Sequence, residues 1–96
     1  MTTFMIGAHG RDASEAFKLS VAITQKECDH GVYLGTIAEK YSWWLISGEP
    51  AANYDAAIKL AKAHLEKEEK CFYALCQRYK NIDGGIDYLF FGWMND

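Results

Sequence analysis

The chain has 96 residues, half of them hydrophobic and 15% aromatic, with a formal net charge of −3. That length makes one domain, residues 1–96, and the composition excludes a disordered chain. No apolar run approaches the ~20 residues of a membrane-spanning helix. The first residues lack the pattern of an export signal, and Cys28, Cys71 and Cys76 are an odd set without a disulfide framework, so a cytoplasmic protein with buried thiols is expected.

In chain order, Thr2 to Ala8 is a candidate first strand, with Phe4 and Ile6 on one face and Met5 on the other. A helix over Asp12 to Asp29 follows. Asp12 with Glu15 resembles a capping box, and Gly31 suits the left-handed position that ends a helix. Ser14, Glu15, Lys18, Ala22, Gln25, Lys26 and Asp29 form one polar arc. Ala13, Ala16, Phe17, Leu19, Val21, Ile23 and Cys28 form the opposite one, with Ser20 among them.

Gly35 to Gly48 reads as a β-hairpin at the centre of the fold, with a turn near Lys40 to Ser42. In its second run Trp43 and Leu45 point to one face, and Trp44 and Ile46 to the other. After the break at Gly48-Glu49-Pro50, a second helix opens at Asn53 or Tyr54 and runs to about Glu69, with Ala57, Leu60, Ala61, His64 and Leu65 inward. Cys71 to Tyr79 is read as a strand in preference to more helix, because its aromatics favour a sheet. Asp83-Gly84-Gly85 signals a turn, and Ile86 to Met94 a final strand or an aromatic tail. The expected class is α+β: a ferredoxin-like βαββαβ antiparallel sheet with two helices on one face and an extra C-terminal strand or tail.

No spacing in the chain makes a metal site, since neither Cys28-Asp29-His30 nor Cys71 with Cys76 is a ligand pair of the usual kind. Neither a metal nor another cofactor is expected. Gly7-Ala8-His9-Gly10-Arg11-Asp12 lies where a phosphate could be held, but it lacks the nucleotide-binding fingerprints and Asp12 would repel an anion, so a tight turn is expected. No Cys/His catalytic arrangement can be read from linear spacing.

Charge is the more informative signal. Residues 1–55 with 81–96 carry ten acids and four bases, whereas residues 56–80 carry three acids and six bases. Carboxylates spread over a small rigid domain can occupy a protein groove built for phosphates. The candidates for such partner contacts are Asp12, Glu15, Glu27, Asp29, Glu39, Glu49, Asp55, Asp83 and Asp87, with Tyr41, Trp43 and Trp44 as aromatic contacts. Direct nucleic-acid binding fits less well, because Lys40 is the only base in the hairpin that would present the aromatics.

Glu15-Ala16-Phe17, Val21, His30-Gly31, Tyr33 and Gly35 to Lys40 resemble a pattern in small proteins encoded by phages and prophages. The chain as a whole is similar in style to small anti-CRISPR proteins, especially inhibitors of type I-F surveillance complexes. That resemblance implies a non-enzymatic inhibitor in the host cytoplasm that blocks target-DNA binding by imitating DNA. The alternatives are a homodimeric structural or regulatory interaction protein and a single-stranded RNA-binding module.

Overall fold

The structure, a computed structural model, describes residues 2–27, 43–46, 48–67 and 74–94. Its elements in chain order are β1 (Thr2–Ala8), α1 (Ala13–Glu27), β2 (Trp43–Leu45), α2 (Tyr54–Lys67), β3 (Ala74–Lys80) and β4 (Ile86–Met94). The class is α+β, a four-stranded mixed sheet with two helices in the general style of ferredoxin-like folds. The sheet order is β1-β4-β3-β2; β4 runs antiparallel to both β1 and β3, and β2 runs parallel to β3. Among the described residues, no helix is long and apolar enough to cross a membrane.

Local chemistry sets the helix starts. Asp12 caps α1, its Oδ1 accepting the Glu15 N–H at 2.8 Å. The return arm of the expected capping box reaches one residue further back: Glu15 accepts from the Arg11 backbone N–H at 3.3 Å and from Arg11 Nε at 2.8 Å. Asn53 caps α2 in the same way, its Oδ1 accepting from the Ala56 N–H at 2.8 Å. Between β3 and β4 the turn is organised by Asn81, whose Oδ1 accepts from the N–H groups of Asp83 (3.0 Å) and Gly85 (2.9 Å), while Gly84 takes the positive φ of 85° that a side chain would resist.

Three details differ from the sequence-based expectation. The sheet is mixed, not wholly antiparallel, because β2 pairs with β3 across the α2 crossover. The helices lie on opposite faces. Ala13, Ala16 and Phe17 of α1 pack with Ala74, Cys76, Tyr88 and Phe90, whereas Ala57 and Ala61 of α2 pack with Tyr79, Leu89 and Phe91. These strand residues alternate in sequence and so point to opposite sides. Finally, the C-terminal strand is no appendage. β4 is central, with Leu89, Phe90 and Phe91 all fully buried, and both of its faces need a cover.

Of the expected hairpin, residues 35–42 lie outside the described residues. Its second run is the short strand β2, an edge of this sheet and not its middle. Trp43 packs inward with its ring 6.5 Å from that of Phe90 and tilted by 74°, while Trp44 is 64% exposed. In α1, Leu19 and Ile23 are nearly half exposed and Ser20 is buried instead, its hydroxyl donating to the Ala16 carbonyl at 2.9 Å. Leu60 of α2 is likewise exposed, and the buried surface of that helix is the alanine pair Ala57 and Ala61. Such small residues let α2 lie close to the sheet.

Candidate functional site

The strand directions bring five chain segments to one end of the sheet. β1 finishes there at Ala8 opposite Tyr88, β3 finishes at Lys80 opposite Ile86, and β4 begins there. Both helices also start at this end, α1 directly after β1 and α2 after Ala51, which bridges to Tyr79. Between them, on the face covered by α2, lies a cavity of about 740 Å³.

Two tyrosines form its inner wall. Tyr54, in the first turn of α2, and Tyr79, near the end of β3, meet edge to face with ring centroids 5.4 Å apart and planes at 66°. Glycine at position 7 lets them lie close against β1. A Cβ there would stand 3.1 Å from the Tyr79 hydroxyl and 3.2 Å from Tyr54 Cε1. Burial pushes the Tyr79 phenol up from its ordinary pKa, and the neighbouring Asp87 carboxylate acts in the same direction.

Polar groups form the rim. His9 Nδ1 donates to Asp87 Oδ1 at 2.6 Å, and the same oxygen accepts from Asn81 Nδ2 at 3.2 Å. The hydrogen bond to Asp87, then its charge, raises the His9 pKa above 6.5, with smaller contributions from Glu15 and Asp83. Asp55, Asp83 and Lys80 complete the charged lining.

The structure gathers some of the expected partner-binding residues and separates others. Asp55, Asp83 and Asp87 line the cavity. Asp12 and Glu15 are at the start of α1, at the same end of the sheet but outside the cavity lining, and Glu15 is close enough to act on His9. Glu49 lies two residues before Ala51 in the link from β2 to α2, outside the cavity lining but near the same end of the sheet, and Glu27 is at the opposite end of α1. Trp43 spends much of its surface in the core, whereas Trp44 presents itself outward. Asp29, Glu39 and Tyr41 lie outside the described residues. Sequence reasoning missed His9, Tyr54, Tyr79 and Asn81 as a group, because they come from four segments that only the tertiary fold unites.

The cavity lining brings His9, Lys80 and three aspartates together with the two tyrosines, and among the described residues it contains no serine, threonine or cysteine. Cys76 is buried on the other face of the sheet, and burial pushes its thiol up to about 12, far from the thiolate state that reactivity needs. Among the described residues no cluster of His, Cys, Asp and Glu could hold a metal ion. His64 packs against Phe91, its ring centroid 6.2 Å away.

No protein-family model, curated protein or solved structure matches this chain. The functional reading therefore rests on the cavity and the charges around it.

Proposed function

We propose that this protein is a non-enzymatic binding protein that docks its acidic end into a basic groove of a partner, in the style of a phage inhibitor that imitates DNA. The observation that carries the reading is the convergence of Asp12, Glu15, Asp55, Asp83 and Asp87 on one end of the sheet, although they are scattered over the sequence. Concentrated carboxylates at one end steer the approach to a cationic surface and fix the orientation of docking. The lysines of α2 are compatible with this orientation, because Lys59, Lys62 and Lys67 follow the helix away from the acidic end.

The partner that the sequence resemblance implies is a type I-F CRISPR surveillance complex of the bacterial host. The test is competition between this protein and target DNA for the purified complex. The expected result is mutually exclusive binding that weakens with salt; binding of both at once, or none by this protein, contradicts the proposal.

A second reading, a homodimeric interaction protein, is favoured by β1. It forms an edge of the sheet, and Thr-Thr-Phe-Met-Ile-Gly-Ala carries neither charge nor proline to discourage pairing with another copy. Light scattering that shows a monomer at every concentration would remove this reading.

A further inference from the structure

We propose that the cavity between Tyr54, Tyr79 and the Asp55, Asp83 and Asp87 carboxylates is a binding site for an N–H-bearing organic cation, a guanidinium or alkylammonium group. This inference goes beyond the docking proposal and stands without it, since it concerns a small group in a formed cavity and not the acidic surface as a whole.

The tyrosines point to this ligand class first. Tyr79 is 93% buried, its relative exposure being 7%, and it lines the cavity. Its hydroxyl makes no hydrogen bond to any described residue. A phenol oxygen in so enclosed a position is left to the water or the guest that the cavity admits. A guanidinium or ammonium N–H donating to the phenol oxygen supplies the partner. The two rings also stand at 66° to one another, which makes an aromatic corner, and ring faces attract organic cations.

The carboxylates select the sign of charge. Asp55, Asp83 and Asp87 outnumber Lys80 in the lining, and the remaining ionisable group, His9, is tied to Asp87 at 2.6 Å. An anion would meet an excess of carboxylates, and a neutral ligand would leave that excess unbalanced. At about 740 Å³ the space falls within the usual range for a small-molecule site and admits an arginine-sized group with its neighbouring atoms. A planar guanidinium suits it well, because its donors can be shared between a carboxylate and the Tyr79 oxygen while its plane rests on a ring.

His9 gives the site a pH dependence. Protonated, it occupies Asp87 and adds positive charge to a rim that also faces Glu15, Asp83, Asp55 and Lys80. When it loses its proton, the rim loses that positive charge and the Asp87 carboxylate is no longer neutralised. Binding of a cation is therefore expected to strengthen as pH rises through the His9 titration.

The test is nuclear magnetic resonance titration of the full chain with three probes: N-acetylarginine methylamide, its neutral isostere N-acetylcitrulline methylamide, and inorganic phosphate. Spermidine forms a separate arm that distinguishes a free polyamine from a basic peptide side chain as the source of the cation. The expected result is saturable shifts at Tyr54, Tyr79 and His9 with the arginine probe, with spermidine or with both. Affinity for the citrulline probe should be weaker by about tenfold, a difference of roughly 1.4 kcal/mol. Tyr79→Phe keeps the ring and the fold and should weaken the cation several-fold; Asp55→Asn should do the same. Equal response to arginine and citrulline, saturation by phosphate at these residues, or an unchanged affinity in Tyr79→Phe would overturn the assignment.

Discussion

The two faces of the sheet are built from alternate residues of the same strands, and they are closed in different ways. Under α1 the cover is made of large rings: Phe17 meets Phe90 edge to face at 5.4 Å, and Trp43 adds a third ring from β2. Under α2 the helix contributes Ala57 and Ala61, and the tyrosines stand at its start instead of beneath its middle. Under α1 the helix's own ring, Phe17, packs at the centre of the face, whereas under α2 the helix's ring, Tyr54, stands at its start beside the cavity. One face is thus a core, and the other is a core with a mouth.

Mutations at the centre of the ring cluster should break this comparison most severely. Phe90→Ala removes a fully buried ring from between Phe17 and Trp43 and is expected to cost about 3–5 kcal/mol, measured by urea denaturation. That is a large part of the ~5–15 kcal/mol typical of a whole domain. Next in size, Trp43→Ala should cost about 2 kcal/mol and Trp44→Ala less than about 1 kcal/mol, because only the first ring is packed on the core. Equal costs for the two tryptophans would mean that β2 is not placed as described.

On the other face the expected changes are smaller and more local. Gly7→Ala puts a methyl group against the Tyr79 hydroxyl and Tyr54, and should cost about 1 kcal/mol while shifting the resonances of both rings. Unmoved tyrosine signals would show that the two rings do not close on β1. The smallest effect belongs to the exposed His9–Asp87 pair. Because Asp87 raises the folded-state pKa of His9, the stabilisation from this pair is fully present below the ordinary histidine value of 6.5 and is lost as pH rises through the raised folded value. Asp87→Asn should flatten that part of the stability profile, and a histidine titration followed by NMR should move down toward 6.5.

Much of this fold can be read from the residues, and the failures have physical causes. Asp12 and Asn53 announce helices because their short side chains accept the first N–H groups, and Asp83-Gly84-Gly85 announces a turn because Gly84 must take a positive φ. Read from sequence, the C-terminal strand is an extra strand or tail and its central position is missed, although Leu89-Phe90-Phe91 carries the signal. Three apolar residues in succession mark a strand buried on both faces, which requires helices on both sides of the sheet. The pull of Trp43 and Trp44 toward the centre was misleading, since aromatic content measures the need for burial and not the place in the sheet. Tyr54 and Tyr79 could not be paired in advance, because their meeting depends on the parallel docking of β2 and the bridge from Ala51 to Tyr79. The acidic excess was visible as composition, but only tertiary structure separates Asp55, Asp83 and Asp87 from Glu27 and Glu66 at the far ends of the helices.

That separation permits the most direct test of the functional account. Two charge variants of equal size, Asp55→Asn with Asp83→Asn at the cavity and Glu27→Gln with Glu66→Gln at the far ends of the two helices, can be compared for binding to the purified surveillance complex. The account predicts that the first pair loses about tenfold or more in affinity and most of its salt dependence, while the second binds like the parent. Equal losses in the two variants, or a larger loss in the second, would contradict the claim that the acidic end of the sheet is the docking face.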